Sequence, residues 1–170
     1  TARAVHARCH DLTMVAQERI FAELKGILCA PGAAEQMEAF SDVFAVILPE
    51  VAPLIGFNQN NPHHDSNAWL HTARTVSGVP EGDAALRLAA LLHDTGKPDC
   101  CTTDAQGISH FYGHNQRSAE LTHQPVCAVI QSPVVWWSSW SRSMTTHCPR
   151  LCPLPVAFWQ RQGRRPCADY

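Results

Sequence analysis

Leu91-Leu92-His93-Asp94-Thr95-Gly96-Lys97-Pro98 is the stretch on which the reading of this chain turns. It closes a run from Ala84 to Leu92 that is apolar almost all round, and a helix of that kind sits centrally in a helical bundle. A His and an Asp therefore stand side by side at the edge of a core. A carboxylate there is costly unless a metal or hydrogen bonds compensate it. Imidazole nitrogen and carboxylate oxygen together suit one borderline or hard divalent cation, such as Zn, Mn, Mg or Fe. A His-Asp pair alone fits a plain helix end equally well. The surroundings favour the metal, because His63, His64 and His71 lie upstream and His110 and His114 downstream.

Upstream, Ile20, Leu24, Ile27 and Leu28 fall on one face of a helix expected over Met14–Cys29, with Glu18, Arg19, Glu23 and Lys25 largely on the other. Pro31-Gly32 stops it. A second helix is expected over Ala33–Leu48, turning Met37, Phe40, Phe44, Ile47 and Leu48 inward before Pro49. Both stripes read as ordinary core. The Asn- and Gln-rich loop from Gly56 to Pro62 approaches the histidines. Trp69, Ala73 and Val76 predict a helix that carries His71 close to its packed face, and Asp83 can cap the helix that follows. Gly96-Lys97-Pro98 breaks that helix. Cys101–Phe111, with Asp104-Ala-Gln-Gly107 at its centre, predicts a small hairpin or an ordered loop. A short helix over His114–Leu121 would point His114 back toward the pair.

Composition narrows the classes. At 170 residues the expectation is one domain, or one domain and a piece of another, burying roughly two thirds of its surface. A formal net charge of −2 argues against bulk nucleic acid as the main partner. The eight cysteines lack metal-site spacing, and a chain of this size without a secretory leader does not read as a disulfide framework, so reduced thiols and a cytoplasmic location are expected. No apolar run approaches the ~20 residues of a membrane span. Opening on Thr1 rather than Met, the chain reads as beginning partway through a longer protein.

Six segments, in order and spacing, resemble the C-terminal half of bacterial CCA-adding tRNA nucleotidyltransferases and related poly(A) polymerases. They are Val15-Ala-Gln-Glu-Arg-Ile-Phe-Ala-Glu-Leu24, Leu48-Pro-Glu50, Asn61-Pro-His-His64, Trp69-Leu-His-Thr72, Leu86-Arg-Leu-Ala-Ala-Leu-Leu-His-Asp-Thr-Gly-Lys-Pro98 and His110-Phe-Tyr-Gly-His114. The match runs from about Leu12 to Thr122. The resemblance implies an all-α fold: neck or body helices over residues 1–55 that help hold tRNA, then a helical domain of the HD phosphohydrolase superfamily over residues 56–123. In that superfamily a His, the His-Asp pair and a later Asp bind one or two metals, which activate water against a phosphate ester. Carried onto this chain, His71, His93 and Asp94 become metal-ligand candidates. His93, Asp94 and Lys97 become catalytic candidates, with Lys97 contacting a phosphate, and His64 and His114 are further site candidates. The implied cofactor is a divalent ion, Mg, Mn, Zn or another transition metal, and the implied partner is tRNA or a nucleotide phosphoester. The family's catalytic head would lie before Thr1, so this chain is not expected to add nucleotides by itself. The alternative from another class is a non-catalytic tRNA-binding scaffold with a degenerate HD site.

From His123 onward the texture changes. The segment holds four of the five Trp, half of the Pro and Cys, five Arg, no Lys and, as its one acidic residue, Asp169. An aromatic-basic tail that grips single-stranded RNA is one account. A shifted reading frame is the better one. Back-translated and read one base earlier with favourable codons, Trp136 to Cys148 becomes Val-Val-Glu-Gln-Leu-Val-Glu-Val-His-Asp-His-Pro-Leu, an amphipathic helix with a second His-Asp. Residues 124–170 are thus expected to be an atypical, disordered tail that leaves the HD domain incomplete, without its late Asp. Trp136, Trp137, Trp140 and Trp159 would then stay out of the core.

Overall fold

The three short apolar stripes and the apolar run before His93 assemble into an all-α bundle. The structure, a computed structural model, describes residues 2–60 and 67–130, with side chains described through Thr122. The expectations placed on His63, His64 and the tail from residue 131 lie outside the described residues. Helix α1 spans Ala2–Arg8 and runs into a 3-10 turn over Cys9–Met14. Helix α2 therefore covers Gln17–Cys29 rather than beginning at Met14. Its buried stripe is Leu24 and Leu28 with Phe21 packed beside them. Ile27, expected inward, lies on the flank of that stripe and is exposed.

The single helix expected over Ala33–Leu48 is two, α3 at Ala33–Ala39 and α4 at Ser41–Ile47. Phe40, at φ −123° and ψ 35°, leaves the helical region and ends one helix while starting the next. The break has a tertiary cause. Phe40 turns away from the core and stacks on His6 of α1, with ring centroids 5.1 Å apart. Meanwhile the Met37 carbonyl at the end of α3 accepts the Trp69 indole N–H at 3.1 Å. Met37 and Phe44 both stay buried across the break. A second 3-10 turn over Pro49–Leu54 adds Val51 and Leu54 to the core.

Helix α5, Ala68–Ser77, starts where the Asn67 side chain accepts the Leu70 N–H at 2.9 Å. Ala68, Trp69, Thr72, Ala73 and Val76 form its buried face. Helix α6, Ala84–Leu92, begins at the expected cap, with Asp83 Oδ1 accepting the Leu86 N–H at 2.9 Å. Its residues Arg87 through Leu92 are all buried. One apolar cluster joins α2, α3, α4, α5 and α6, and α5 packs between α3 and α6.

The expected hairpin is present. Strand β1, Thr102–Thr103, pairs antiparallel with β2, Ser109–His110, and Gly107 takes the left-handed φ of +82° that the turn needs. Helix α7 follows over His114–Ile130, beyond the end expected at Leu121. Among the described residues no helix is long and apolar enough to cross a membrane.

Arg87 shows how polar groups enter this core. Its guanidinium is buried and donates to the Val79 carbonyl from Nε and Nη2, at 3.0 and 2.7 Å, and from Nη1 to the Leu28 carbonyl. The fork thus satisfies the end of α2 and the loop before α6 together. Arg87→Met should lower the unfolding free energy by about 2–4 kcal/mol, since two buried carbonyls lose their partner. Arg87→Lys should recover only part of that loss. Urea unfolding midpoints measured at unchanged slope check both.

Candidate metal centre

Helix α6 delivers the centre because its last turn ends on His93 at φ −60° and ψ −32°, and the chain then tightens. The Lys97 N–H closes back onto the Asp94 carbonyl at 2.9 Å, and the Thr95 hydroxyl onto the Leu92 carbonyl at 3.0 Å. That tight exit turns both His93 and Asp94 inward, each 1% exposed. His71 comes from α5, with Nε2 3.7 Å from Asp94 Oδ2 and its ring centroid 5.5 Å from that of His93. One ligand atom each from His71, His93 and Asp94 lies within 4.8 Å of the others. His114, at the start of α7, brings Nε2 to 3.6 Å from the other carboxylate oxygen, Asp94 Oδ1. Three imidazoles thus converge on one carboxylate. Among the described residues, the His71 side chain, at 32% exposed, is the most open of the three imidazoles, and that of His114 is 18% exposed.

Two backbone carbonyls decide which ring nitrogens face inward. His93 Nδ1 lies 2.7 Å from the Ala90 carbonyl and His114 Nδ1 lies 2.7 Å from the Phe111 carbonyl. A carbonyl only accepts, so each Nδ1 carries the proton and, in the neutral ring, each Nε2 presents a lone pair. For His93 that lone pair lies 3.0 Å from Asp94 Oδ2, an anionic acceptor. Two acceptors repel at that distance unless a proton or a metal cation lies between them. Among the described residues, His114 Nε2 and Asp94 Oδ2 are both buried and make no aligned hydrogen bond.

Lys97 balances part of the charge. Its Nζ lies 2.8 Å from Asp94 Oδ2, off the hydrogen-bond direction, and donates to Gln59 Oε1 at 2.8 Å. It also sits 5.5 Å from the centroid of the Phe111 ring. Burial opposes ionisation of Asp94, but when the imidazoles are protonated the charges on His93, Lys97 and His71 outweigh it and hold the carboxyl well below its usual range. Burial lowers the His114 imidazole, against the raising pull of Asp94, so that ring resists protonation.

Of the residues singled out from sequence, His71, His93, Asp94, Lys97 and His114 meet here, and His64 lies outside the described residues. His110 does not join them: its Nε2 lies 2.8 Å from Asp104 in the hairpin. Three supports were not marked by the sequence as parts of the centre. Gln59 is fully buried and holds Lys97. The Phe111 carbonyl orients His114. Gly96 lets α7 approach, because a Cβ there would stand 2.5 Å from the His114 carbonyl oxygen and 2.6 Å from the Ser118 nitrogen. The loop composition around Gln59 marked the approach to a site without marking the residue.

Comparison with known proteins places this architecture. A CC-adding tRNA nucleotidyltransferase of Thermus thermophilus is 38% identical over 126 residues, covering 68% of this chain and 29% of that protein. An A-adding tRNA nucleotidyltransferase of Deinococcus radiodurans is 35% identical over 129 residues, covering 71% of this chain and 29% of its own length. Over that stretch the chain belongs to the tRNA nucleotidyltransferase family. A multifunctional CCA protein of Thioalkalivibrio sulfidiphilus is 31% identical over 118 residues, covering 66% of this chain and 28% of that protein. The chain therefore spans under a third of the length of these curated relatives. No family model matches the chain, and no solved structure does.

Gly96→Ala should push the start of α7 away, costing about 1–3 kcal/mol of stability, because the clash is with backbone. Ser118→Ala, which removes the hydroxyl that accepts the Gly96 N–H at 2.9 Å, should cost about 1 kcal/mol. Chemical denaturation separates the two. The titrations also fix a sign. His114 is lowered from 6.5, so the unfolded chain binds more protons just below that pH, and stability is full above 6.5 and falls as pH drops through the folded value. Asp94 is lowered from 3.8 and adds a second loss of the same sign below 3.8. Unfolding midpoints should decline from pH 7 to pH 5, and His114→Gln should flatten that decline.

Proposed function

We propose that the centre binds a divalent metal and hydrolyses a phosphoester. Residues 56–123 then form an HD-type phosphohydrolase module, and residues 1–55 the neck or body helices of a CCA-adding-enzyme-like protein acting in tRNA 3′-end maturation in the cytoplasm. One observation carries the reading. Asp94 Oδ2 and His114 Nε2 are buried without an aligned hydrogen bond, and the His93 lone pair faces the same carboxylate at 3.0 Å. Buried polar atoms are left in that state rarely, and a cation satisfies all of them together.

His71, His93 and Asp94 would hold the ion, with His114 as a further donor on the Oδ1 side. A donor set of imidazoles and one carboxylate suits a transition metal such as Zn, Mn or Fe better than Mg, which prefers oxygen and retained water. When bound, such an ion polarises a phosphoryl oxygen and acidifies a water. By accepting from Nδ1, the Ala90 and Phe111 carbonyls leave Nε2 as the atom that the neutral His93 and His114 rings aim inward. Lys97 has one ammonium hydrogen beyond those facing Asp94 and Gln59, and that hydrogen can meet a phosphate oxygen.

Purified chain should carry about one transition-metal ion per molecule and hydrolyse p-nitrophenyl phosphate in a chelator-sensitive way. His93→Ala and Asp94→Asn should each lower metal affinity and turnover by about 100-fold or more. A metal-free chain with tRNA affinity that neither substitution changes would identify the non-catalytic scaffold instead.

A further inference from the structure

Lys97 gives its aligned hydrogen bond to the weaker of two acceptors. Its Nζ lies 2.8 Å from Asp94 Oδ2 and 2.8 Å from Gln59 Oε1, yet among the described residues the amide oxygen alone of these two receives it in good alignment. An ammonium offered a carboxylate and a neutral amide at equal distance favours the carboxylate, because the charge-assisted bond is about twice as strong. The lysine is not short of access. Its backbone N–H meets the Asp94 carbonyl at 2.9 Å, so the side chain starts beside the carboxylate that it does not bond.

Gln59 is placed to hold the ammonium off. It is fully buried, and Lys97 itself is 6% exposed. The carbonyl of Asn60, next in the chain, accepts the Ser109 N–H of β2 at 3.1 Å, and Phe57, two residues before Gln59, packs edge-on against Phe111. The loop is thus pinned to the hairpin segment on both sides of Gln59. The oxygen that Lys97 does not bond is the one that His93 Nε2 and His71 Nε2 approach, at 3.0 and 3.7 Å. An ion held by those three groups and the Lys97 ammonium are therefore two cations on one oxygen. In the empty centre the ammonium offsets the carboxylate charge. Beside a bound ion it repels.

We propose that Gln59 is a positioning residue that keeps the Lys97 ammonium beside Asp94 Oδ2 without filling its lone pairs, and that the two residues together set how tightly the centre holds its ion. The inference rests on the metal reading of the centre and adds to it the group that limits affinity. Lys97 is then a competitor of the ion. A neighbour that supports a metal ligand acts in the opposite sense, since its loss weakens binding.

Calorimetric titration of the full 170-residue chain with Mn(II) tests it, Mn being chosen because the eight cysteine thiols favour softer metals. Lys97→Met should bind Mn about tenfold more tightly than the parent chain. Gln59→Leu should bind it about fivefold more weakly, because the released ammonium moves onto Oδ2. The double variant should match Lys97→Met, since Gln59 acts through the lysine. Lys97→Gln, which loses the charge and keeps a donor, should show the same gain, and it replaces Lys97→Met if far-UV circular dichroism finds that variant unfolded. Unfolding midpoints give a second readout: with chelator Lys97→Met should be less stable than the parent, and Mn should raise its midpoint by more. Lys97 variants that bind Mn no more tightly than a parent chain that does bind it would overturn the proposal and leave the metal site standing. A loss in Gln59→Leu that persists undiminished without Lys97 would overturn the positioning role. Absence of Mn binding in the parent and in both Lys97 variants would remove the metal site, and the proposal with it.

Discussion

A carboxylate that is 1% exposed has lost its hydration, and the helices around Asp94 are disposed to offset that loss. Lys97, three residues on, places its ammonium on one oxygen, and two imidazoles from different helices stand within 3.7 Å of that same oxygen. The other oxygen faces His114. The offset is electrostatic more than it is a matter of hydrogen bonds, since among the described residues Oδ2 has charged and polar neighbours but no aligned donor. That asymmetry separates the cluster from a structural ion pair, in which donors are aimed at both oxygens. The neighbouring positive charges are what hold the carboxyl ionised despite its burial.

Core and centre are one mechanical unit. The apolar residues of α6 that anchor the bundle lead directly into His93, so any shift of that helix moves two of the converging side chains. Gly96 carries the same constraint to α7. Its missing Cβ admits the His114 backbone, and the Ser118 hydroxyl accepts its N–H at 2.9 Å. Arg87, on the same helix, ties the end of α2 to the loop before α6. The N-terminal helices, which contribute no side chain to the centre, thus still bear on its geometry.

Much of this was legible because it rests on local signals. Helix α6 begins at an Asp83 cap, ends at a Gly-Pro break, and is apolar between them, so its bounds needed no tertiary knowledge. The hairpin was legible from Asp104 and Gly107 for the same reason. The broken helix at Phe40 was not, because an apolar residue at helical spacing reads as core, and its partner His6 lies 34 positions away in a helix that periodicity did not reveal. In the centre, the histidines and Asp94 were legible as metal-binding types with the right neighbours. Gln59 and the Phe111 carbonyl were not. A buried amide and a backbone oxygen acquire their parts only from what folding brings beside them.

The two carbonyls that set the ring tautomers differ in how firmly they are held. Ala90 lies within α6, fully buried, and its carbonyl is fixed by the core. Phe111 lies between a two-residue strand pair and α7, and it is held by Phe57, by Lys97 and by the turn at Gly113. Short ribbons of this kind open at small free-energy cost. His93 is therefore preset by the bundle, whereas the orientation of His114 depends on the hairpin being closed.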